Sequence, residues 1–286
     1  MSASKLELGV GTEPYPGYRL TRFLGRGGWG EVWHARAPDG SGVALKFLAS
    51  DSPRGTLQEI RALQGIRQLR HPNLIRMDNI WSCAGWLVIV MELADGSLAD
   101  LLDVYGTEIN SPIPPDHLCF FLGQAAAAID FLNARQHDCD GQRVAYRHAD
   151  VKPSNLLLVG SQVRLSDFSL AVQATSPVRH SFRGGTVAYA APEMFHGSLS
   201  DRSDLYSLAA TYYHLRTGKL PFPDGPKDFS KGYTRPAAPD LSMMTDSERP
   251  ILTRAFAPTP TDRWSTCTDF IGRLRAVFGA QAVGAA

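Results

Sequence analysis

Cysteine is scarce in this sequence: four residues, Cys83, Cys119, Cys139 and Cys267, lie far apart in 286. No CxxC pair occurs and no spacing matches a zinc site, which argues against a disulfide framework and for a reducing compartment. No charge of one sign dominates. Lys and Arg number 29 against 28 Asp and Glu, a net charge of +1, whereas a nucleic-acid binder is usually strongly basic on one face. No apolar run approaches the ~18 residues of a membrane span. The opening residues carry no apolar h-region or cleavage signature. The expectation is a cytoplasmic protein with no membrane span and no nucleic-acid partner. What is present is an ordinary globular balance, 44% hydrophobic and 20% charged, which excludes disorder as the main state. The length suits two domains or lobes of about 100–200 residues each.

The first third reads as strands. Residues 18–25 alternate apolar and polar, a glycine cluster follows, then a second strand at 31–37. Pro38-Asp39-Gly40-Ser41-Gly42 is a turn, and Val43–Leu48 a third strand. Thr56-Leu57-Gln58-Glu59 has capping-box spacing and opens a helix with apolar Ile60, Leu63, Ile66 and Leu69, stopped at His71-Pro72-Asn73. Leu87–Leu93 is a further strand. After Asp95-Gly96 the text becomes helical, with a second capping box at Ser97–Asp100. Helices are expected at Asp116–Ala134, Asp204–Arg216 (closed by Gly218) and about Ser265–Phe278. Short strands are expected at Asn155–Val159 and Val163–Ser166. The pattern is a small β-rich lobe, a hinge near residues 92–96 and a larger α-rich lobe.

Gly25-Arg26-Gly27-Gly28-Trp29-Gly30-Glu31-Val32 fits GxGxxGxV. A strand, not a helix, follows it, which excludes a dinucleotide-binding βαβ unit. Between antiparallel strands such a loop can lie over phosphates, because glycine lets backbone N–H groups approach anionic oxygens; the alternative is a plain hairpin turn. Lys46, inside the apolar strand Val43-Ala44-Leu45-Lys46, needs an anion partner if it faces inward. Glu59 is the one acidic residue of the following helix and the candidate for that ion pair, its alternative being a capping role alone.

His148-Ala149-Asp150-Val151-Lys152-Pro153-Ser154-Asn155 is the deciding segment. Here the chain resembles the eukaryotic-type (Hanks-type) protein kinase family over residues 17–279, in a terse form like the bacterial Ser/Thr kinases. The resemblance implies an α+β bilobal kinase fold: an antiparallel β-sheet N-lobe with one helix (17–94) and an α-helical C-lobe (95–279). Residues 1–16 would be an N-terminal extension and 280–286 a frayed tail. It further implies a protein serine/threonine kinase that uses ATP with Mg²⁺, Mn²⁺ also being compatible, on an unidentified protein substrate. Asp150 matches the carboxylate that accepts the substrate hydroxyl proton, Lys152 the cation near the transferred phosphoryl, and Asn155 a metal ligand. The chemistry asks for these types because negative charge must be spread while an alcohol attacks.

Other segments match in the family's order. Asp167, in Asp167-Phe168-Ser169, stands at the metal-binding DFG position. Gly185–Glu193 matches GTxxYxAPE, with Thr186 near the acceptor and Glu193 expected to pair with Arg263. Asp204 matches the acid that braces the catalytic loop. Met91 corresponds to the gatekeeper, with Glu92, Leu93 and Ala94 as the backbone that would bond adenine. Leu24, Val32, Ala44 and Leu157 would form an apolar sandwich about the base, Gly25, Gly27 and Gly30 lying along the phosphates. Lys152 two residues after Asp150 is the Ser/Thr pattern.

Three departures stand out. Ala149 replaces the Arg of HRD, which normally gathers a phosphate on the activation segment. Activity independent of phosphorylation at Thr175, Ser176 or Ser181 is therefore expected, with Arg147 pointing elsewhere. Ser169 replaces the Gly of DFG and should restrict exchange of Phe168. Glu59 lies about one helical turn further from Pro72 than in many family members, which preserves its face. The insertion Gln136–Arg143, with His137, Asp138, Cys139 and Asp140, is expected to be a solvated loop rather than a metal site. The competing readings are a pseudokinase scaffold that binds nucleotide without turnover, and a small-molecule kinase of related fold.

Overall fold

The computed structural model describes residues 6–27, 30–49, 63–139, 141–174, 178–180, 184–222 and 238–284. The chain divides into two compact units, Met1–Arg70 with Ile75–Asp95, and His71–Leu74 with Gly96–Ala286.

The first unit is a five-stranded antiparallel sheet in the order β1-β2-β3-β5-β4. Its strands are β1 (Arg19–Gly27), β2 (Gly30–Arg36), β3 (Gly42–Ala49), β4 (Met77–Cys83) and β5 (Trp86–Glu92). β4 was not foreseen, because Asp78, Asn79 and Ser82 break its apolar alternation. Helix α1 is described at residues 63–68 and buries Leu63 and Ile66. Alternation along the strands separates two faces. One carries Leu20, Trp33, Ala35, Val43, Leu45, Phe47, Val88 and Val90, closed by Leu8, Tyr18, Trp81 and Trp86. Each fully buried large side chain here contributes about 1.5–3 kcal/mol by leaving water. Residues 6–20 are tied to the sheet through backbone bonds from Leu6 N to Ala84 O (3.3 Å) and Gly11 N to Leu20 O (2.8 Å). The Trp86 indole donates to Leu6 O (3.0 Å). The other face carries Val32, Ala44, Lys46 and Met91, related by the pairings Val32–Lys46 and Ala44–Met91.

The second unit opens with β6 (Gly96–Ser97) and α2 (Leu98–Val104), joined by the expected capping box. The Ser97 hydroxyl accepts from Asp100 N (3.2 Å) and Asp100 Oδ2 accepts from Ser97 N (2.7 Å). α3 (Pro115–Asn133) is the central helix. It buries Leu118, Leu122, Ala125, Ala126, Ala128, Ile129 and Leu132 and packs on α5 and α7. Its alanines let these neighbours approach. β7 (His137–Cys139) and β8 (Gln142–Arg147) follow, then β9 (Leu156–Val159), β10 (Gln162–Leu165), β11 (Val172–Ala174) and β12 (Val178–His180). After α4 (Pro192–Phe195) and β13 (Ser198–Ser200) come α5 (Ser203–Thr217), α6 (Arg249–Ala255) and α7 (Cys267–Gly284). α5 ends on Gly218 in the left-handed conformation (φ 69°), the stop its sequence predicts. α7 runs past Phe278, and its first turn is capped from α3: Asp130 accepts from Cys267 N (2.8 Å), Thr268 N (2.9 Å) and the Thr268 hydroxyl (2.7 Å).

The Gln136–Arg143 insertion is solvent-exposed along most of its described length, as expected, but is a hairpin rather than an irregular loop. It forms the β7–β8 hairpin, and β8 pairs on its other side with β11. His137 is buried, bonded through Nε2 to Phe131 O (2.8 Å) and packed against the rings of Phe131 and Tyr146. An imidazole next to two aromatic rings is a packing unit as readily as a polar one, which is why His137 alone among the insertion's described residues is buried. Among the described residues no group of three or more His, Cys, Asp and Glu is placed to hold a metal ion, and Asp140 lies outside them.

Candidate active site

The first unit supplies the residues expected around a nucleotide. Lys46 is buried on β3, on the same face as Val32, Ala44 and Met91. Leu24, 38% exposed, falls at an irregularity in the β1–β2 register between Phe23 and Gly25. Gly30 has a structural reason of its own: at φ 156° an added Cβ would lie 1.8 Å from the carbonyl oxygen of Phe47, so β2 meets β3 only through glycine. Gly25 meets no such restriction, and Gly27 pairs with Gly30 at the turn. Gly28, Trp29 and Glu59 lie outside the described residues, and the Lys46–Glu59 pair with them. At the end of β5, Glu92 N donates to Arg76 O (3.0 Å) and Arg76 N to the Glu92 carboxylate (2.7 Å). Leu93 and Ala94 follow in half-buried, irregular backbone.

The second unit supplies the segment His148–Asn155 expected to be catalytic, held by backbone bonds to one buried acid. Asp204, in the first turn of α5, accepts from His148 N and Ala149 N, both at 2.8 Å. A carboxylate is at home in the first turn of a helix, and this buried one spends both oxygens on fixing the loop. Ala149 sits at φ 66°, a left-handed conformation costing about 1–2 kcal/mol for a non-glycine residue, held in place by that bond. Arg147 is buried and donates to Asn133 at its Oδ1 (2.9 Å) and main-chain oxygen (3.2 Å); it points away from the loop, as expected.

Asp150 lies at the centre of a closed network and is 5% exposed. Lys152 Nζ is 2.8 Å from Asp150 Oδ2 and donates to the Thr186 hydroxyl at 2.7 Å. Thr186 in turn donates to Asp150 Oδ1 at 2.7 Å. Asn155, on the 3₁₀ turn Pro153–Asn155, donates through Nδ2 to Asp150 O (2.7 Å) and Oδ2 (3.0 Å). With the amide nitrogen so engaged, Asn155 turns its oxygen away from Asp150. Leu157 is on β9, paired with Arg164 of β10 and Ser97 of β6. The β9–β10 hairpin places Asp167, whose approach is fixed by Ser166: its N and Oγ both donate to Asn155 O (2.9 and 3.0 Å). Asp167 is left-handed (φ 63°) and caps the turn Phe168–Leu170. Phe168 is buried, edge-on to His148 at 5.2 Å, and His148 Nε2 bonds Ser166 O at 2.8 Å.

Behind this segment, Glu193 and Arg263 form a two-pronged pair at 2.8 and 2.7 Å, the guanidinium fully buried. The hydroxyls of Ser200 (3.0 Å) and Ser203 (2.7 Å) also donate to Glu193. Burial alone would raise the Glu193 pKa, but the Arg263 hydrogen bonds and charge, with Ser203, hold it below the usual carboxylate range. Sequence reading found the pair but not the two serines, although Ser203 adjoins Asp204. It also missed the Tyr189 hydroxyl, 2.7 Å from His214 Nδ1. Burial and the Asp150 charge push the Tyr189 pKa up to about 12. Glu248 was missed as well: it is fully buried and accepts from the Tyr212 hydroxyl (2.6 Å) and the Thr245 hydroxyl (2.8 Å).

The sequence pattern of the family described as "Protein kinase domain" matches residues 18–275. The chain belongs to the protein kinase family. Serine/threonine-protein kinase PknF of Mycobacterium tuberculosis is 30% identical over 277 residues, covering 91% of this kinase chain and 56% of PknF. Serine/threonine-protein kinase PknJ of Mycobacterium bovis is 33% identical over 232 residues, covering 77% and 37%. CBL-interacting protein kinase 4 of Oryza sativa subsp. japonica is 31% identical over 265 residues, covering 88% and 56%. The kinase chain thus spans about half the length, or less, of these relatives. Among solved structures, the kinase domain of Mycobacterium tuberculosis PknI aligns with a TM-score of 0.72 over 94% of this chain and 99% of that one, at 24% identity. That likeness establishes the bilobal kinase fold. No helix among the described residues is long and apolar enough to cross a membrane.

The donor set suits the cation that kinases use. Mg²⁺ takes oxygen ligands, commonly one or two carboxylates completed by substrate phosphates rather than an all-protein cage. One carboxylate, Asp167, and one amide oxygen, Asn155, fit that division.

Proposed function

We propose that this chain is a serine/threonine protein kinase that transfers the γ-phosphoryl group of ATP to a protein Ser or Thr hydroxyl. The observation that carries the reading is the network on Asp150, in which a lysine, a threonine hydroxyl and an asparagine amide hold one buried carboxylate. Bound at Asp167 and Asn155, Mg²⁺ (or Mn²⁺) would supply charge neutralisation at the phosphates. Asp150 would orient the substrate alcohol and take its proton. The Thr186 hydroxyl already donates to Oδ1 at 2.7 Å, so an alcohol fits against this carboxylate with Lys152 alongside. Lys152 would face the charge that develops on the moving phosphoryl. In the other unit Lys46 would hold the nucleotide phosphates, Gly25, Gly27 and Gly30 would lie along them, and Leu24, Val32, Ala44 and Met91 would face the base. Glu92, Leu93 and Ala94 would bond the base through backbone, and Leu157 of the second unit would add an apolar contact. Glu59 would pair with Lys46.

Activity without activation-segment phosphorylation belongs to the same reading. Ala149 offers no cation, Arg147 is engaged by Asn133, and β12 pairs through backbone with β13 from Val178–Ser200 to His180–Ser198, an anchor that needs no phosphate. Thr175, Ser176 and Ser181 lie outside the described residues. The scaffold reading is disfavoured, since Ala149 and Ser169, the two departures that suggest it, are neither the acid, the lysine nor the asparagine of this network.

The test is Mg²⁺-dependent autophosphorylation, with sites mapped by mass spectrometry. Phosphoserine and phosphothreonine are expected. Binding of MgATP without any transfer would support the scaffold instead.

A further inference from the structure

Where the family pattern has glycine, Ser169 makes a contact that glycine cannot. Asp167 Oδ1 accepts from Ser169 Oγ at 2.7 Å and from Ser169 N at 3.3 Å. The backbone bond is long, and of the two it is the one that a glycine would keep. The hydroxyl bond is short, within the usual range for an O–H donor on a carboxyl oxygen. Two donors converging on one oxygen restrict the rotation of the Asp167 carboxylate. The backbone of the same residue is fixed separately: Asp167 is left-handed at φ 63°, and Phe168 is buried against His148 at 5.2 Å.

We propose that Ser169 is a positioning residue that sets the orientation of the Asp167 carboxylate and so tightens the chain's hold on its divalent cation. The proposal rests on the reading of Asp167 as a metal ligand. A hydroxyl draws some charge from the oxygen it bonds, which opposes metal binding. Orientation is the larger effect, because hydrogen bonds to ligating groups commonly raise metal affinity about 10–100-fold. A serine here therefore does more than stiffen the backbone. It supplies a second layer of support from the residue next but one in the chain.

The experiment compares wild type, Ser169→Ala, Ser169→Gly and Ser169→Thr, with Asp167→Asn as control. Mn²⁺ binding is titrated by electron paramagnetic resonance with a non-hydrolysable ATP analogue present, and analogue binding is measured without metal. The Ala and Gly variants are expected to weaken Mn²⁺ binding by roughly 10–100-fold, with metal-free analogue affinity unchanged. The Thr variant, which restores the hydroxyl, should regain tight binding. In kinase assays the half-saturating Mg²⁺ should rise while kcat at saturating Mg²⁺ holds. If Asp167→Asn weakens Mn²⁺ binding and neither Ala nor Gly does, the Ser169 proposal is overturned and the kinase reading stands. Should Asp167→Asn bind Mn²⁺ as tightly as wild type, the metal-ligand reading falls, and this proposal with it.

Discussion

Replacing Arg263 by methionine removes the buried cation and leaves Glu193 in place. The guanidinium is fully buried and the carboxylate only 13% exposed, so solvent cannot stand in for the missing charge. Removing one partner of such a pair costs about 3–5 kcal/mol. Two features bear on where the value falls. The Ser200 and Ser203 hydroxyls remain as donors to Glu193, which softens the loss. Against this, Ala257 O (2.8 Å), Arg202 O (3.0 Å) and Pro258 O (3.1 Å) all lose their Arg263 donor, although Pro258 is exposed and the other two are half-buried, so water replaces part of the loss. A value within the range is expected. At about 2–4 °C per kcal/mol for a cooperative unit of this size, Tm should fall by roughly 6–20 °C. Differential scanning calorimetry on wild type, Arg263→Met, Glu193→Gln and the double variant reads both the drop and the coupling, the double variant losing less than the two singles together. The pH dependence has a definite sign. Because folding depresses the Glu193 pKa below its reference value of 4.5, its contribution is complete above about pH 4.5 and fades as pH falls through the folded value. The gap between wild type and Glu193→Gln should therefore narrow in acid. A loss under about 1 kcal/mol for Arg263→Met, or additive single effects, would refute the reasoning.

Other outcomes follow from the same geometry. Phosphatase treatment confirmed by mass spectrometry should leave kinase activity within about twofold, since no Arg at position 149 waits for a phosphate; disappearance of activity would contradict this. Gly30→Ala should destabilise the first unit by about 1–3 kcal/mol or more through the clash with Phe47 O, read as a lower melting temperature, and an unchanged melt would show that β2 and β3 can part without cost. Cys119, whose pKa burial pushes up to about 12, should resist alkylation in the folded chain at pH 8, and rapid labelling by iodoacetamide would contradict its placement.

Much of the frame was legible because periodicity and burial coincide. The Ser97–Asp100 capping box, the Gly218 stop and the apolar register of Val43–Leu48 each state a local rule that the fold obeys. The segment expected to be catalytic stood out for another reason: Asp150, Lys152 and Asn155 match the family's motif at its own spacing. What escaped depends on contacts distant in sequence. β4 is polar enough to read as loop, and only pairing with β5 makes it a strand. The β7–β8 hairpin read as a loop because the strand partner of His137, Val144, and the rings that bury it, Phe131 and Tyr146, all lie outside the segment Gln136–Arg143. The Glu248 site joins residues from α5 and the segment before α6, a meeting that no local pattern announces. Ser169 was visible as a departure, but its bond to Asp167 required coordinates.

The central claim is that Asp150, gripped by Lys152, Thr186 and Asn155, is the acceptor of the substrate proton. Single-turnover transfer from γ-labelled ATP, comparing wild type with Asp150→Asn at saturating Mg²⁺, measures it directly. The rate is predicted to fall by about 10²–10⁴, with nucleotide affinity unchanged. Equal rates in the two proteins would contradict the claim.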